Sequence, residues 1–264
     1  MHRIPEGNSD LFPFILENMR IFVVNLPHRT DKRAEILAQG EKYQLPLEIF
    51  EAVNGNTFSD DAFKTFVFDY PACCMTKGVI GCSLSHLKIY KKMCDENIDL
   101  ALVLEDDALL LDGLPLVLAE LEKIDKNETS KIYFLSSQYY KSASGQEIAG
   151  GYSIREYIDG GSSHGYVVNR KAAASLHENL WPIKWEAGKW YYFQEMGLVS
   201  FSCIVPHVVA VDDSQLKSDL YAERAPTNKK RRIYLNSLKH VVPRRRRLAK
   251  ILWKTFRRPF LKKS

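Results

Sequence analysis

The sequence predicts an α/β domain: a mostly parallel central sheet flanked by helices, followed by a basic C-terminal helical tail. Three observations predict it. Short apolar runs rich in β-branched residues recur at Ile21–Leu26, Leu100–Leu104 and Ile132–Leu135, as buried strands require. Segments of helical periodicity separate them; Ile80, Leu84, Leu87, Tyr90 and Cys94 share one helical face. The alternation of strand and helix over the first 135 residues is the order that yields a parallel sheet.

Taken in order, Pro27 closes the first strand, and Thr30 or Asp31 opens a helix that Gly40 stops. A second strand is expected over Glu48–Val53, closed by Asn54-Gly55. The stretch 58–78 carries no clear pattern. The helix from Ile80 ends at Asn97. Leu100–Leu104 is apolar throughout, as expected of a central strand covered on both faces. Leu114–Ile124 reads as helix and 136–163, rich in Ser, Gly and Tyr, as loop with room for a hairpin. Gly165–Val168 reads as a strand, and Asn169 as the cap of a helix over Lys171–Asn179. Trp185–Gly197 is expected to be partly helical and Val199–Val211 mostly extended.

Charge divides the chain. The formal net charge is +5 over 264 residues, yet 224–264 holds 16 Lys and Arg and no acid, leaving 1–223 at −11. The expected organisation is an N-terminal extension (1–18), a catalytic body (19–223) and a basic amphipathic tail (224–264). The first 18 residues lack the continuous apolar stretch of a secretory leader, and no run of about 18 apolar residues offers a membrane span. The five cysteines, Cys73, Cys74, Cys82, Cys94 and Cys203, match no zinc or disulfide spacing, which suits a reducing cytosolic setting.

Chemistry concentrates at Glu105-Asp106-Asp107, directly after the most apolar strand. Ligands of open α/β sheets bind beyond the carboxyl ends of the strands. Residues two apart on extended chain point the same way, so Glu105 and Asp107 are expected to face one site and Asp106 another. Adjacent carboxylates repel, and hard oxygen ligands suit Mg²⁺ or Mn²⁺. A solvated acidic turn is the competing reading.

Three segments carry a resemblance: Ile21-Phe22-Val23-Val24-Asn25-Leu26-Pro27-His28-Arg29-Thr30-Asp31-Lys32-Arg33, Gly81-Cys82-Ser83-Leu84-Ser85-His86 and Val103-Leu104-Glu105-Asp106-Asp107-Ala108. Together they resemble glycosyltransferase family 25 over roughly residues 19–220. The resemblance implies a GT-A-like fold and an inverting transfer of galactose from UDP-galactose to a sugar hydroxyl of a lipooligosaccharide or lipopolysaccharide. Another UDP-sugar, glucose or N-acetylgalactosamine, is the nearest alternative donor. It implies a metal site at Glu105 and Asp107 and substrate contacts at Asn25, Arg29, Arg33, Ser85, His86 and Asp106. A solvated helix face for Arg33 and a packing role for His86 stay open. Gly81 reads as a close backbone approach or a helix start. Where relatives show Ala-Asp-x-Trp, this chain reads Trp185-Glu186-Ala187-Gly188-Lys189-Trp190, so Glu186 is the candidate base, with Asp212 or Asp213 behind it.

His207 is a candidate third metal ligand, and Trp190, within an aromatic cluster, a candidate stacking surface for an acceptor sugar. In the tail, Leu248, Ile251, Leu252 and Phe256 make an apolar stripe among arginines. That pattern suits an anionic membrane surface better than nucleic acid, whose phosphates the same charge could also hold. The expected setting is cytoplasmic, peripheral on the inner face of the inner membrane, with a glycolipid or oligosaccharide acceptor.

Overall fold

The computed structural model describes residues 16, 18–161, 163–211, 223–238 and 262–263. Strand β1 (Met19–Asn25) runs parallel to both its neighbours, β2 (Leu47–Glu51) and β3 (Leu100–Glu105). Helix α1 (Thr30–Lys42) leads from β1 to β2; α2 (Asp60–Phe66) and α3 (Lys77–Asp95) lead on to β3. Alternation along β1 and β3 feeds two cores. Phe22, Val24, Ala101 and Val103 pack with α3 on one face; Ile21, Val23, Leu100, Leu102 and Leu104 pack on the other. A strand buried on both faces has no polar side, which is why Leu100–Leu104 is apolar at every position.

Beyond β3 come the short β4 (Ala108–Leu110), α4 (Leu114–Ile124), β5 (Lys131–Phe134), β6 (Tyr139–Glu147), β7 (Ser153–Asp159) and β8 (Gly165–Asn169). Then follow α5 (Arg170–Asn179), α6 (Trp190–Met196), β9 (Ser200–Val205), β10 (Val209–Val211), α7 (Asn228–Ser237) and β11 (Lys262–Lys263). The main sheet has the order β11-β6-β7-β9-β5-β8-β3-β1-β2, with β10 and β4 paired separately.

The expectation of a mostly parallel sheet is corrected. Only β1–β2, β1–β3 and β5–β9 are parallel among the described ladders; β8 lies antiparallel between β3 and β5. The cause is the segment 136–163, which forms the antiparallel β6–β7 pair rather than a crossover helix, so the chain returns into β8 reversed. Gly40 does not stop α1 either. It lies inside the helix, where a Cβ would stand 2.6 Å from Leu47 Cδ1, so its smallness lets α1 approach β2. Asn169 caps α5 as its sequence suggested, its side chain accepting from the Ala172 N–H at 2.9 Å.

The described structure continues past the expected boundary at 223/224. Helix α7 packs onto the body through buried Arg231 and Leu235, and Leu238 is buried just beyond it. Arg231 donates to the carbonyls of Cys73 (2.9 Å) and Lys184 (2.7 Å) and to both carboxylate oxygens of Glu186. The stripe Leu248, Ile251, Leu252 and Phe256 lies outside the described residues. Among those described, no helix is long and apolar enough to cross a membrane, and all five cysteines are free.

Candidate active site

Because β1 and β3 are parallel and in register, with Val24 opposite Glu105, their carboxyl ends deliver side chains to the same edge of the sheet. Asn25 closes β1 there. Its amide donates to Asp106 Oδ2 at 2.7 Å and to the Arg29 carbonyl at 3.1 Å. Asp106 thus turns toward β1 and α1, where Arg29 and Lys32 also bear on it. Burial pushes its carboxyl above the usual range, while the Asn25 hydrogen bond and those two cations pull it back.

Glu105 and Asp107 turn the other way, as alternation requires. The antiparallel entry of β8 supplies their partners. Leu104 pairs with Gly165, and the Glu105 N–H donates to the His164 carbonyl at 3.1 Å, so Ser163 and His164 stand opposite the acids. Ser163 Oγ donates to Glu105 Oε1. His164 Nδ1 lies 3.1 Å from Asp107 Oδ1 and 3.6 Å from Glu105 Oε2. Burial lowers the pKa of His164, but the Asp107 hydrogen bond and the two carboxylates outweigh it and raise the imidazole above its ordinary value. Burial and the neighbouring Asp107 charge push Glu105 up, against His164, Ser163 and Arg224.

Ligand atoms of Glu105, Asp107 and His164 all lie within 4.8 Å of one another. Two carboxylates and one imidazole form a donor set that Mn²⁺ or Mg²⁺ accepts, and burial that penalises the carboxylate charge favours a cation among them. The residues therefore fit a divalent ion. A second group, Cys82, His86 and Glu105, fits less well. Burial keeps the Cys82 thiol protonated, whereas the thiolate is the ligand form, and His86 Nδ1 is already engaged with the Tyr166 hydroxyl.

The other expected residues fall in different places. Arg33 is exposed on α1, and Arg29 is half-buried at its start. Ser85 is fully buried: its hydroxyl donates to the Gly81 carbonyl and accepts from the Val53 N–H, which corrects the expected substrate contact to a structural brace. His86 is buried beneath Glu105, its Nε2 3.9 Å from Oε1 and its Nδ1 2.6 Å from the Tyr166 hydroxyl, so the packing alternative describes it. Trp190 is a core residue against Phe134, Tyr166 and Phe201 and presents no face to an acceptor. Glu186 is committed to Arg231, which overcomes the upward push of burial and holds its carboxyl below the usual range; a paired, depressed carboxylate is a poor base.

His207 joins neither metal-competent group of the described residues. It precedes β10, whose Val209 pairs with Leu110, whereas the end of the ladder near the acids is Val211 against Ala108. The imidazole that groups with Glu105 and Asp107 is that of His164. The signal for it was a Ser-His pair immediately before an apolar strand, at the end of the segment read as loop. Asp212 and Asp213 lie outside the described residues.

A family model described as glycosyltransferase family 25 (LPS biosynthesis protein) matches residues 18–190. Procollagen galactosyltransferase 2 of Mus musculus is 31% identical over 115 residues, 40% of this chain and 18% of that protein. R655 of Acanthamoeba polyphaga mimivirus, named as a candidate glycosyltransferase, is 33% identical over 175 residues, 60% of this chain and 52% of that protein. The chain thus spans about half the length of one relative and under a fifth of the other. A solved glycosyltransferase involved in glycosylating the major capsid of PBCV-1 aligns over 66% of this chain and 70% of its own, at 12% identity and a TM-score of 0.34. The architecture is α/β, with a mixed central sheet between helices. With the family match extending from the start of β1 to Trp190, the chain belongs to glycosyltransferase family 25.

Proposed function

We propose that this glycosyltransferase moves galactose from UDP-galactose to a sugar hydroxyl of a lipooligosaccharide or lipopolysaccharide acceptor, with inversion. The observation that carries the reading is the convergence of Glu105, Asp107 and His164 at the carboxyl end of β3, in a chain of this family. Galactose as the sugar is supported by the galactosyltransferase named among its relatives, and the acceptor class by the family's description.

Glu105, Asp107 and His164 would hold Mn²⁺ or Mg²⁺, which when bound supplies electrostatic stabilisation of the leaving diphosphate. Asn25 fixes Asp106 and the turn into α1, from which Arg29 and Arg33 are offered to the nucleotide by charge-assisted bonds. Inversion requires a base on the acceptor side: it takes the hydroxyl proton as the oxygen attacks the anomeric carbon and UDP leaves from the opposite face. With Glu186 tied to Arg231, Asp213 is the base of this proposal. The basic segment after α7 would hold the enzyme to an anionic membrane surface, placing it peripherally on the cytoplasmic face of the inner membrane.

Purified protein given UDP-galactose, Mn²⁺ and β-linked glycan acceptors should release UDP, and chelation should stop it. Asp107→Asn should cut turnover by at least about 100-fold, the scale expected for losing an electrostatic stabiliser. Absence of UDP release from any UDP-hexose would sink the reading; release from UDP-glucose or UDP-N-acetylgalactosamine alone would change the donor. Salt-sensitive binding to DNA that survives Asp107→Asn, without turnover, would favour nucleic-acid binding.

A further inference from the structure

A cavity of about 580 Å³ opens between α7, α6 and the start of α3, a volume typical of small-ligand sites. Its charged lining is Lys189, Arg224, Lys229, Arg231, Arg232 and Glu186. Arg231 and Glu186 satisfy each other. The remaining four are all cationic, and no carboxylate of the lining is left to balance them. Among the described residues, the side chains of Lys189, Arg224, Lys229 and Arg232 make no hydrogen bond or close ion pair, and Arg224 Nε is buried without a partner. Lys229 and Arg232 stand one helical turn apart on α7, a like-charge spacing that costs free energy until an anion bridges it.

The cavity lies beside the acidic cluster: Val79 of its lining stands one turn of α3 before Cys82, whose Sγ is within 4.8 Å of a Glu105 carboxylate oxygen. Tyr191 and Tyr192, their rings 3.9 Å apart, line it as well. An aromatic wall suits the C–H face of a pyranose, and four cations without a close ion-pair partner suit a phosphate or carboxylate. We propose that this cavity is the acceptor subsite and selects a saccharide carrying an anionic substituent, held by Arg224, Lys229 and Arg232. The inference rests on the transferase reading above, because it takes the acidic cluster as the donor side of the same site.

The test is calorimetric binding of glucose 6-phosphate, glucuronate and methyl β-glucoside to the full chain at low and high salt. The two anions should bind at least tenfold more tightly than the neutral glucoside, with the margin shrinking in salt; their relative affinities distinguish phosphate from carboxylate. Lys229→Gln/Arg232→Gln, two exposed positions, should erase the preference with an unchanged far-ultraviolet spectrum. Lys189→Gln, on a different element, should weaken it severalfold. Asp107→Asn should keep it. Equal affinity for all three sugars, no binding, or a preference that survives the double variant would overturn the inference. So would a double variant that loses only binding to anionic vesicles. Anion preference without UDP release would sink the transferase reading instead, and turnover without anion preference would sink only this inference.

Discussion

His86 shows how a single buried side chain can support a site from beneath. It is buried under Glu105 and hydrogen-bonded to Tyr166, which in turn lies 2.8 Å from the Tyr90 hydroxyl. Burial lowers its pKa to about 4 from an ordinary 6.5. The unfolded chain therefore binds a proton that the folded chain refuses between those values. The His86 contribution to stability is whole above pH 6.5 and is lost as pH falls toward 4. Glu105, whose carboxyl is raised, acts in the opposite sense, so the comparison with a variant is what isolates His86. Urea denaturation at pH 7 and pH 5 should show His86→Gln less stable at pH 7 but with a smaller loss between the two. Gly81 makes a steric case. A Cβ there would sit 2.3 Å from the Val53 carbonyl and 2.7 Å from the Gly55 nitrogen, both backbone atoms that cannot swing aside. Gly81→Ala should cost about 1–3 kcal/mol in a denaturant titration, the usual scale of overpacking.

At the scale of the element, α7 is the helix whose composition misleads most. Lys229, Lys230, Arg231 and Arg232 read as one solvated run, yet Arg231 is buried and closes four hydrogen bonds to the body. Removing it leaves Glu186 and two carbonyls unpaired in the interior. Arg231→Met should cost about 3–5 kcal/mol, and Glu186→Gln added to it should restore part of that, since breaking a buried pair costs more than replacing it. A double-mutant cycle by thermal or urea unfolding checks this. Elements whose partners lie close in sequence were easier to read. Asn169 announces α5, and the apolar spacing after Ile80 announces α3, although Thr76 caps that helix a turn earlier than the spacing shows.

For the whole molecule, the packing of α7 onto the body predicts a folded unit that reaches Leu238 rather than one that ends where basic charge begins. A chain cut after Leu238 should stay folded and release UDP, with weaker sedimentation on anionic vesicles. A chain cut after Glu223 should lose thermal stability and turnover together. Equal behaviour of the two truncations would show that α7 adds nothing to the body. The mixed sheet belongs to this scale too, because the reversed entry of β8 is what faces Ser163 and His164 toward the acids.

Taken by itself, the sequence determined β1, β2, β3, β5, β8 and β9, most helices, the acidic turn after β3 and the outward pairing of Glu105 with Asp107. These follow from local periodicity and capping, which act over a few residues. Only the tertiary structure decided that His164 joins those acids, that Glu186 is spent on Arg231, and that Trp190 and Ser85 are interior. The partners of His164 and Glu186 lie 57 and 45 residues away, and no local pattern encodes which distant segment a buried polar group will meet. Periodicity reports that a position is covered; the direction in which each strand returns decides what covers it.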